Sequence, residues 1–165
     1  MSFINKIILF IATKLPKSIV RLFAGRYVAG ETALNAIQTA KKLNTKGFSV
    51  TLDILGEHVK TTEEATFITN EYIDLFKLIS KNNIDGNISI KPSHIGLDIS
   101  VLEFEKNLKS LLDIATETQN FLRVDMESSA VTNQTIQSTL KFQESFNNVG
   151  TVMQAYLYRT IDDIE

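Results

Sequence analysis

The chain has 165 residues, 44% of them apolar and 22% charged, with 17 Lys and Arg against 19 Asp and Glu for a formal net charge of −2. That length suits one domain with a sizeable core, the composition excludes disordered and fibrous classes, and a near-balanced charge without like-charge blocks speaks against nucleic acid as a partner. Cysteine is absent, which removes disulfides, thiolate metal sites and cysteine nucleophiles together and fits a reducing, cytoplasmic compartment.

The first apolar run, Ile7 to Ala12, is cut short by Thr13, Lys14 and Pro16. It falls well below the about 20 residues of a membrane span, and no small-residue cleavage site follows it. An amphipathic N-terminal helical segment over 1–29 is expected, with a peripheral contact at the inner membrane surface as its alternative. Apolar positions at Ala33, Leu34, Ile37, Ala40 and Leu43 then predict a helix over Thr32 to Asn44. Phe48 to Leu55 predicts a strand, bounded by Gly56. Thr61 and Glu64 form a capping box for a helix that ends near Asn82. Asn87 to Lys91 predicts the second strand, closed by Pro92. Ser100 with Glu103 reads as another capping box, opening a helix to about Thr118. Phe121 to Asp125 predicts a third strand, Thr132 to Phe146 an amphipathic helix, and Val149 to Tyr156 a fourth strand.

Strands separated by helices of this length form βαβ crossovers, so the sheet is expected to be parallel. The first three strands alternate: Val50, Leu52 and Ile54 oppose Thr51 and Asp53, Ile88 and Ile90 oppose Asn87, Ser89 and Lys91, and Leu122 and Val124 oppose Phe121, Arg123 and Asp125, while the fourth, with Val152 and Gln154 against Thr151 and Met153, alternates less cleanly. A sheet buried on both faces would be apolar on both, so the polar parity points to the interior of a (β/α)8-type barrel. The chain holds about four βα units, half of what such a barrel needs. Asp53, Lys91, Asp125 and Gln154 fall at the C-terminal ends of the strands, where active sites of parallel α/β folds lie.

No strand runs into a G-x-G-x-x-G or Walker loop, so a Rossmann or P-loop nucleotide site is not expected. His58 and His94 lack the spacing of a metal motif and are expected to be solvated or packed in loops, with no metal. Lys91 has three readings: a salt-bridged rim lysine, a Schiff-base amine, or a fixed positive charge for an anionic substrate. Asp125, one strand over, is its expected ion-pair partner, and such a pair keeps both groups ionised, favouring the fixed charge.

Five segments, Phe23 to Glu31, Val50 to Glu57, Ile88 to Asp98, Arg123 to Glu127 and Val152 to Thr160, together resemble the proline dehydrogenases. The resemblance implies a distorted (β/α)8 barrel that holds FAD non-covalently, oxidises L-proline to 1-pyrroline-5-carboxylate and passes electrons to membrane quinone. On the matching residues it implies that Lys91 contacts the proline carboxylate, that Asp125 is catalytic, and that Met126 and Gln154 lie against the flavin. It gives Asp53 and Glu57 a supporting role. Residues 30–165 are expected to be the first half of such a barrel, truncated before the later arginines that hold the substrate. The fragment alone is then expected to be inactive. A non-catalytic half-barrel acting as an oligomerising or regulatory chain is the alternative.

Overall fold

A computed structural model describes residues 28–164 of the chain. The helical segment expected over 1–29 therefore lies outside the described residues, apart from Val28 and Ala29, which are not helical.

Helix α1 (Ala33–Asn44) starts at Thr32, whose side chain accepts from the Asn35 N–H, and it buries Ile37 and Ala40. Leu34 is 62% exposed, so the stripe facing the core is narrower than the apolar spacing suggests. Strand β1 (Val50–Leu52) follows. Helix α2 (Thr62–Lys81) opens on the expected capping box, in which Thr61 accepts from the Glu64 N–H and the Glu64 carboxylate accepts from the Thr61 N–H. Strand β2 (Gly86–Ile90) runs into a 3₁₀ turn (Pro92–Ile95) that stops at Gly96, whose φ of 109° suits glycine. Helix α3 (Val101–Glu117) is capped by Ser100, which accepts from the Glu103 N–H. The reciprocal half of that second box does not form. The Ser100 N–H already donates to the Gly96 carbonyl at 3.1 Å, and the Glu103 carboxylate accepts instead from Asn107 and Lys106.

Strand β3 (Leu122–Val124), helix α4 (Thr132–Gln143), strand β4 (Val149–Thr151) and helix α5 (Thr160–Ile164) complete the described chain. The buried face of α4 is mostly hydroxyl: Thr132, Thr135, Ser138 and Thr139 are buried with Ile136. The threonines satisfy themselves by donating to carbonyls four residues back, Thr139 to Thr135 at 2.8 Å and Thr135 to Val131 at 2.9 Å, while Ser138 donates to Glu105.

All pairings are parallel and the strand order is β1-β2-β3-β4, as the crossover pattern predicts. Three strands are shorter than predicted, β1 stopping at Leu52 rather than Leu55, β3 at Val124 rather than Asp125 and β4 at Thr151 rather than Tyr156, while β2 keeps its predicted length and starts one residue earlier, at Gly86. Leu52, Ile88, Ile90, Leu122, Val124 and Val149 join Tyr72, Phe76, Phe104, Leu108 and Leu112 of the helices in one core. The opposite parity carries Thr51, Asn87, Ser89, Arg123 and Gly150, in register across the strands. None of these five belongs to the core. Three of them bond to one another, Thr51 to Asn87 at 3.0 Å and Arg123 across β2 to Thr51 at 3.2 Å. The architecture is parallel α/β of the (β/α)8-barrel type, with helices on the apolar face and a polar inner face.

Candidate active site

The polar parity continues past the strand ends, because the side chains keep alternating as the chain leaves the ladder. Asp53, Lys91 and Asp125 thereby stand one pleat above Thr51, Ser89 and Arg123 at the C-terminal end of the sheet. The Asp125 N–H donates to the Ile90 carbonyl at 2.9 Å and the Val152 N–H to the Val124 carbonyl at 3.0 Å, so the loops start in register.

Lys91 and Asp125 do not form the expected ion pair; Lys91 has no salt-bridge partner among the described residues. The short Asp125 side chain turns back along the face and accepts from Ser89 Oγ at 2.5 Å, a strong bond of hydroxyl to carboxylate. The longer lysine side chain extends outward into a cleft of about 330 Å³. Met126 and Gln154 line this cleft with Lys91, beside His58, Ser93 and Glu127, whereas Asp125 does not line it. Gln154 is held from both ends: its Nε2 donates to the Met126 carbonyl at 3.4 Å, and its own carbonyl accepts from Thr160 Oγ1 at 2.6 Å.

Asp53 is supported from the helix layer. Tyr72 of α2, fully buried, donates its hydroxyl to Asp53 Oδ1 at 2.8 Å and accepts from the Ile54 N–H at 3.3 Å. Burial pushes the Asp53 carboxyl above the ordinary carboxylate value, while the Tyr72 bond and the Lys91 charge pull the other way. Burial and the Asp53 charge push the Tyr72 phenol upward, so it remains a donor at every ordinary pH.

The two histidines part company. His94 is 4% exposed, packs edge-on against Tyr72 with ring centroids 6.4 Å apart, and has no partner for its Nδ1 among the described residues. Burial lowers its pKa and favours the neutral ring. Gly56 makes room for it, since a Cβ there would come within 2.3 Å of His94 Nε2. His58 is exposed and pairs with Asp98 at 2.7 Å, a bond that raises its pKa.

Sequence reasoning missed the group that ties these loops together. Ser93, 2% exposed, donates its N–H to Glu127 Oε2 at 2.7 Å and its hydroxyl to Oε1 at 2.6 Å. It also accepts the His58 N–H on Oγ and the Val59 N–H on its carbonyl. The available signal was position alone: Ser93 and Glu127 each lie two residues past a singled-out rim residue, Lys91 and Asp125.

Comparison with known proteins agrees with this geometry. The family model described as proline dehydrogenase matches residues 36–165. Proline dehydrogenase 1 of Bacillus subtilis subsp. natto is 35% identical over 145 residues, covering 88% of this chain and 48% of the relative. The proline dehydrogenase of Deinococcus radiodurans is 31% identical over 149 residues, covering 85% and 47%. The chain thus spans about half the length of the curated relatives it matches. Among solved structures, proline utilization A from Bdellovibrio bacteriovorus, inactivated by N-propargylglycine, superposes with a TM-score of 0.79 at 23% identity, over 90% of this chain and 18% of that one. Proline utilization A from Corynebacterium freiburgense gives 0.66 at 24% identity, over 84% and 15%. At those identities the structural likeness is one of fold, while the family model and the sequence relatives carry the assignment. The chain belongs to the proline dehydrogenase family.

Proposed function

We propose that residues 30–165 supply the first half of the barrel of an FAD-dependent proline dehydrogenase, which oxidises L-proline to 1-pyrroline-5-carboxylate in proline catabolism. The observation that carries this reading is Lys91: a cation without an ion-pair partner among the described residues, lining a cleft at the C-terminal rim of a polar sheet face. A lysine so placed holds a carboxylate by a charge-assisted hydrogen bond. It needs no neutralising partner until the substrate arrives. Asp125, anchored by Ser89, presents a carboxylate of fixed orientation at the same rim and serves as the catalytic residue beside the substrate amine.

The residues present fit one wall of a flavin site: the Gln154 amide and the buried Met126 stand together beside the cleft, and would hold the group by a polar and an apolar contact respectively. A bound FAD would supply the acceptor for the hydride lost from the substrate carbon as its CH–NH unit becomes C=N, with the nitrogen proton released to solvent and quinone as the final electron acceptor. The chain's own residues bind the carboxylate and orient the ring. No helix among the described residues is long and apolar enough to cross a membrane. The proposed setting is cytoplasmic, with quinone reached through peripheral contact at the inner membrane.

The experiment compares two purified proteins, the 165-residue chain alone and the same chain continued by a C-terminal barrel half from a relative. The second is expected to be yellow and to reduce a dye with L-proline, and the first to bind FAD poorly and turn over nothing. A colourless, inactive second protein overturns the reading.

A further inference from the structure

We infer that Ser93 is the positioning residue of this site: through one carboxylate and two peptide N–H groups it fastens the loops after β1, β2 and β3 to each other, and thereby fixes Lys91 relative to Asp125. The kinetic consequence rests on the proposed proline oxidation; the fastening itself does not.

The ladder between β1 and β2 ends at Leu52 and Ile88, and that between β2 and β3 at Ile90 and Val124. Beyond those pairs the Asp125 N–H still reaches the Ile90 carbonyl at 2.9 Å, and the remaining backbone groups of the loops at 53–61, 91–98 and 125–131 must find other partners. Pro92 has no N–H to offer, so the first peptide donor of the turn after Lys91 is that of Ser93, and it goes to Glu127 Oε2 at 2.7 Å. The Ser93 hydroxyl takes the other oxygen of the same carboxylate at 2.6 Å, so Glu127 is gripped at both ends. On its other side Ser93 receives the His58 N–H on Oγ at 3.2 Å and the Val59 N–H on its carbonyl at 3.3 Å. His58 adopts a φ of 59°, uncommon for a side-chain-bearing residue, and its N–H points at Ser93 in that conformation. Four bonds from one buried residue thus join three loops. Of the residues so joined, Ser93 lies two positions beyond Lys91 and Glu127 two beyond Asp125, and the Lys91 carbonyl is itself held by the His94 N–H of the same turn at 3.0 Å. Lys91 and Asp125 make no direct bond with each other, so their relative placement depends on their backbones.

The test uses the full enzyme that carries this segment. Ser93→Ala removes the hydroxyl bonds to Glu127 and His58, and Glu127→Gln weakens the grip while keeping the side-chain shape. In both variants amide hydrogen exchange is expected to quicken in all three loops and to stay unchanged in α3. An angstrom-scale displacement of a substrate-holding group costs up to about 100-fold, so kcat/KM for L-proline is expected to fall about 10- to 100-fold. In a Lys91→Met background the same Ser93→Ala change is expected to cost no more than about twofold, because it acts through Lys91. Faster exchange confined to 91–98, or spread over the whole fold, overturns the fastening. An undiminished effect in the Lys91→Met background overturns the positioning of Lys91. A wild-type enzyme that does not oxidise proline overturns the proposed function instead, and the exchange measurement still decides the fastening.

Discussion

Tyr72→Phe removes a buried hydroxyl that serves two partners in the loop after β1. The hydroxyl donates to Asp53 Oδ1 at 2.8 Å and accepts from the Ile54 N–H at 3.3 Å, and the ring is fully buried. Phenylalanine keeps the ring and its packing but leaves the carboxylate one donor short and the Ile54 N–H without its acceptor. A hydrogen bond to a charged group contributes about 1.5–3 kcal/mol. Water reaches part of the exposed Asp53 and replaces some of that, so the expected loss is about 1–2 kcal/mol. For a domain of this size that is about 2–8 °C in Tm, with an unchanged denaturant m value. The loss depends on pH with a defined sign. Partial desolvation raises the folded-state pKa of Asp53 above 3.8 although part of its side chain meets water, so its ionised form costs stability at neutral pH, and that cost is relieved as pH falls through the raised value. The Tyr72 bond holds the pKa down; without it the cost at neutral pH grows. The gap between wild type and Tyr72→Phe is therefore widest at pH 7 and narrows toward pH 4, down to the pH-independent loss at the Ile54 N–H. Urea melts of both proteins at the two pH values measure it. A gap that is absent at pH 7, constant, or wider in acid refutes this account of Asp53.

Three further outcomes are expected. Lys91→Met in the full enzyme should raise KM for L-proline about 10- to 100-fold, the loss of one charge-assisted bond, with flavin content unchanged and a smaller fall in kcat; steady-state kinetics check it, and abolished turnover would point to a Schiff-base amine. Gly56→Ala should lower stability by about 1–3 kcal/mol, the usual cost of overpacking, because the new Cβ would come within 2.3 Å of His94 Nε2; chemical denaturation reads it. His58 has a folded pKa raised above 6.5 by Asp98, so the pair contributes stability below about pH 6.5 that is lost as pH rises through the raised value; His58→Gln should flatten that part of the stability profile.

The parallel sheet was legible because the two periods, 3.6 and 2, alternate along the chain without ambiguity, and because the polar parity in β1, β2 and β3 is clean. Strand ends were not legible. Apolar residues persist through Ile54 and Leu55, yet pairing stops at Leu52, since hydropathy reports burial and not where a neighbour's carbonyl is still in reach. The same limit applies to capping. Thr61 and Glu64 close their box, whereas Ser100 and Glu103 close half of one, because Gly96 reaches the Ser100 N–H first. A pattern of two residues is silent about a third. Helix α4 shows the converse: its threonines read as polar, but each can turn its hydroxyl onto its own helix backbone and then pack as a small apolar residue.

At the site, sequence reasoning found which residues share the rim and missed how they are held. Lys91 and Asp125 are side by side in register, which made an ion pair the natural expectation. The choice was made instead by side-chain reach: aspartate is short enough to take Ser89, one pleat down, and lysine is long enough to leave for the cleft. The groups still act on each other through space. Lys91 lowers and Asp125 raises the pKa of Asp53, so removal of Lys91 is felt at the end of the neighbouring strand as a harder ionisation of Asp53. Kinetic loss in Lys91→Met is therefore to be compared with a melting curve at the same pH: a KM effect that survives where Asp53 is fully ionised in both proteins belongs to the lysine, and one that tracks the Asp53 titration belongs to the field it maintains.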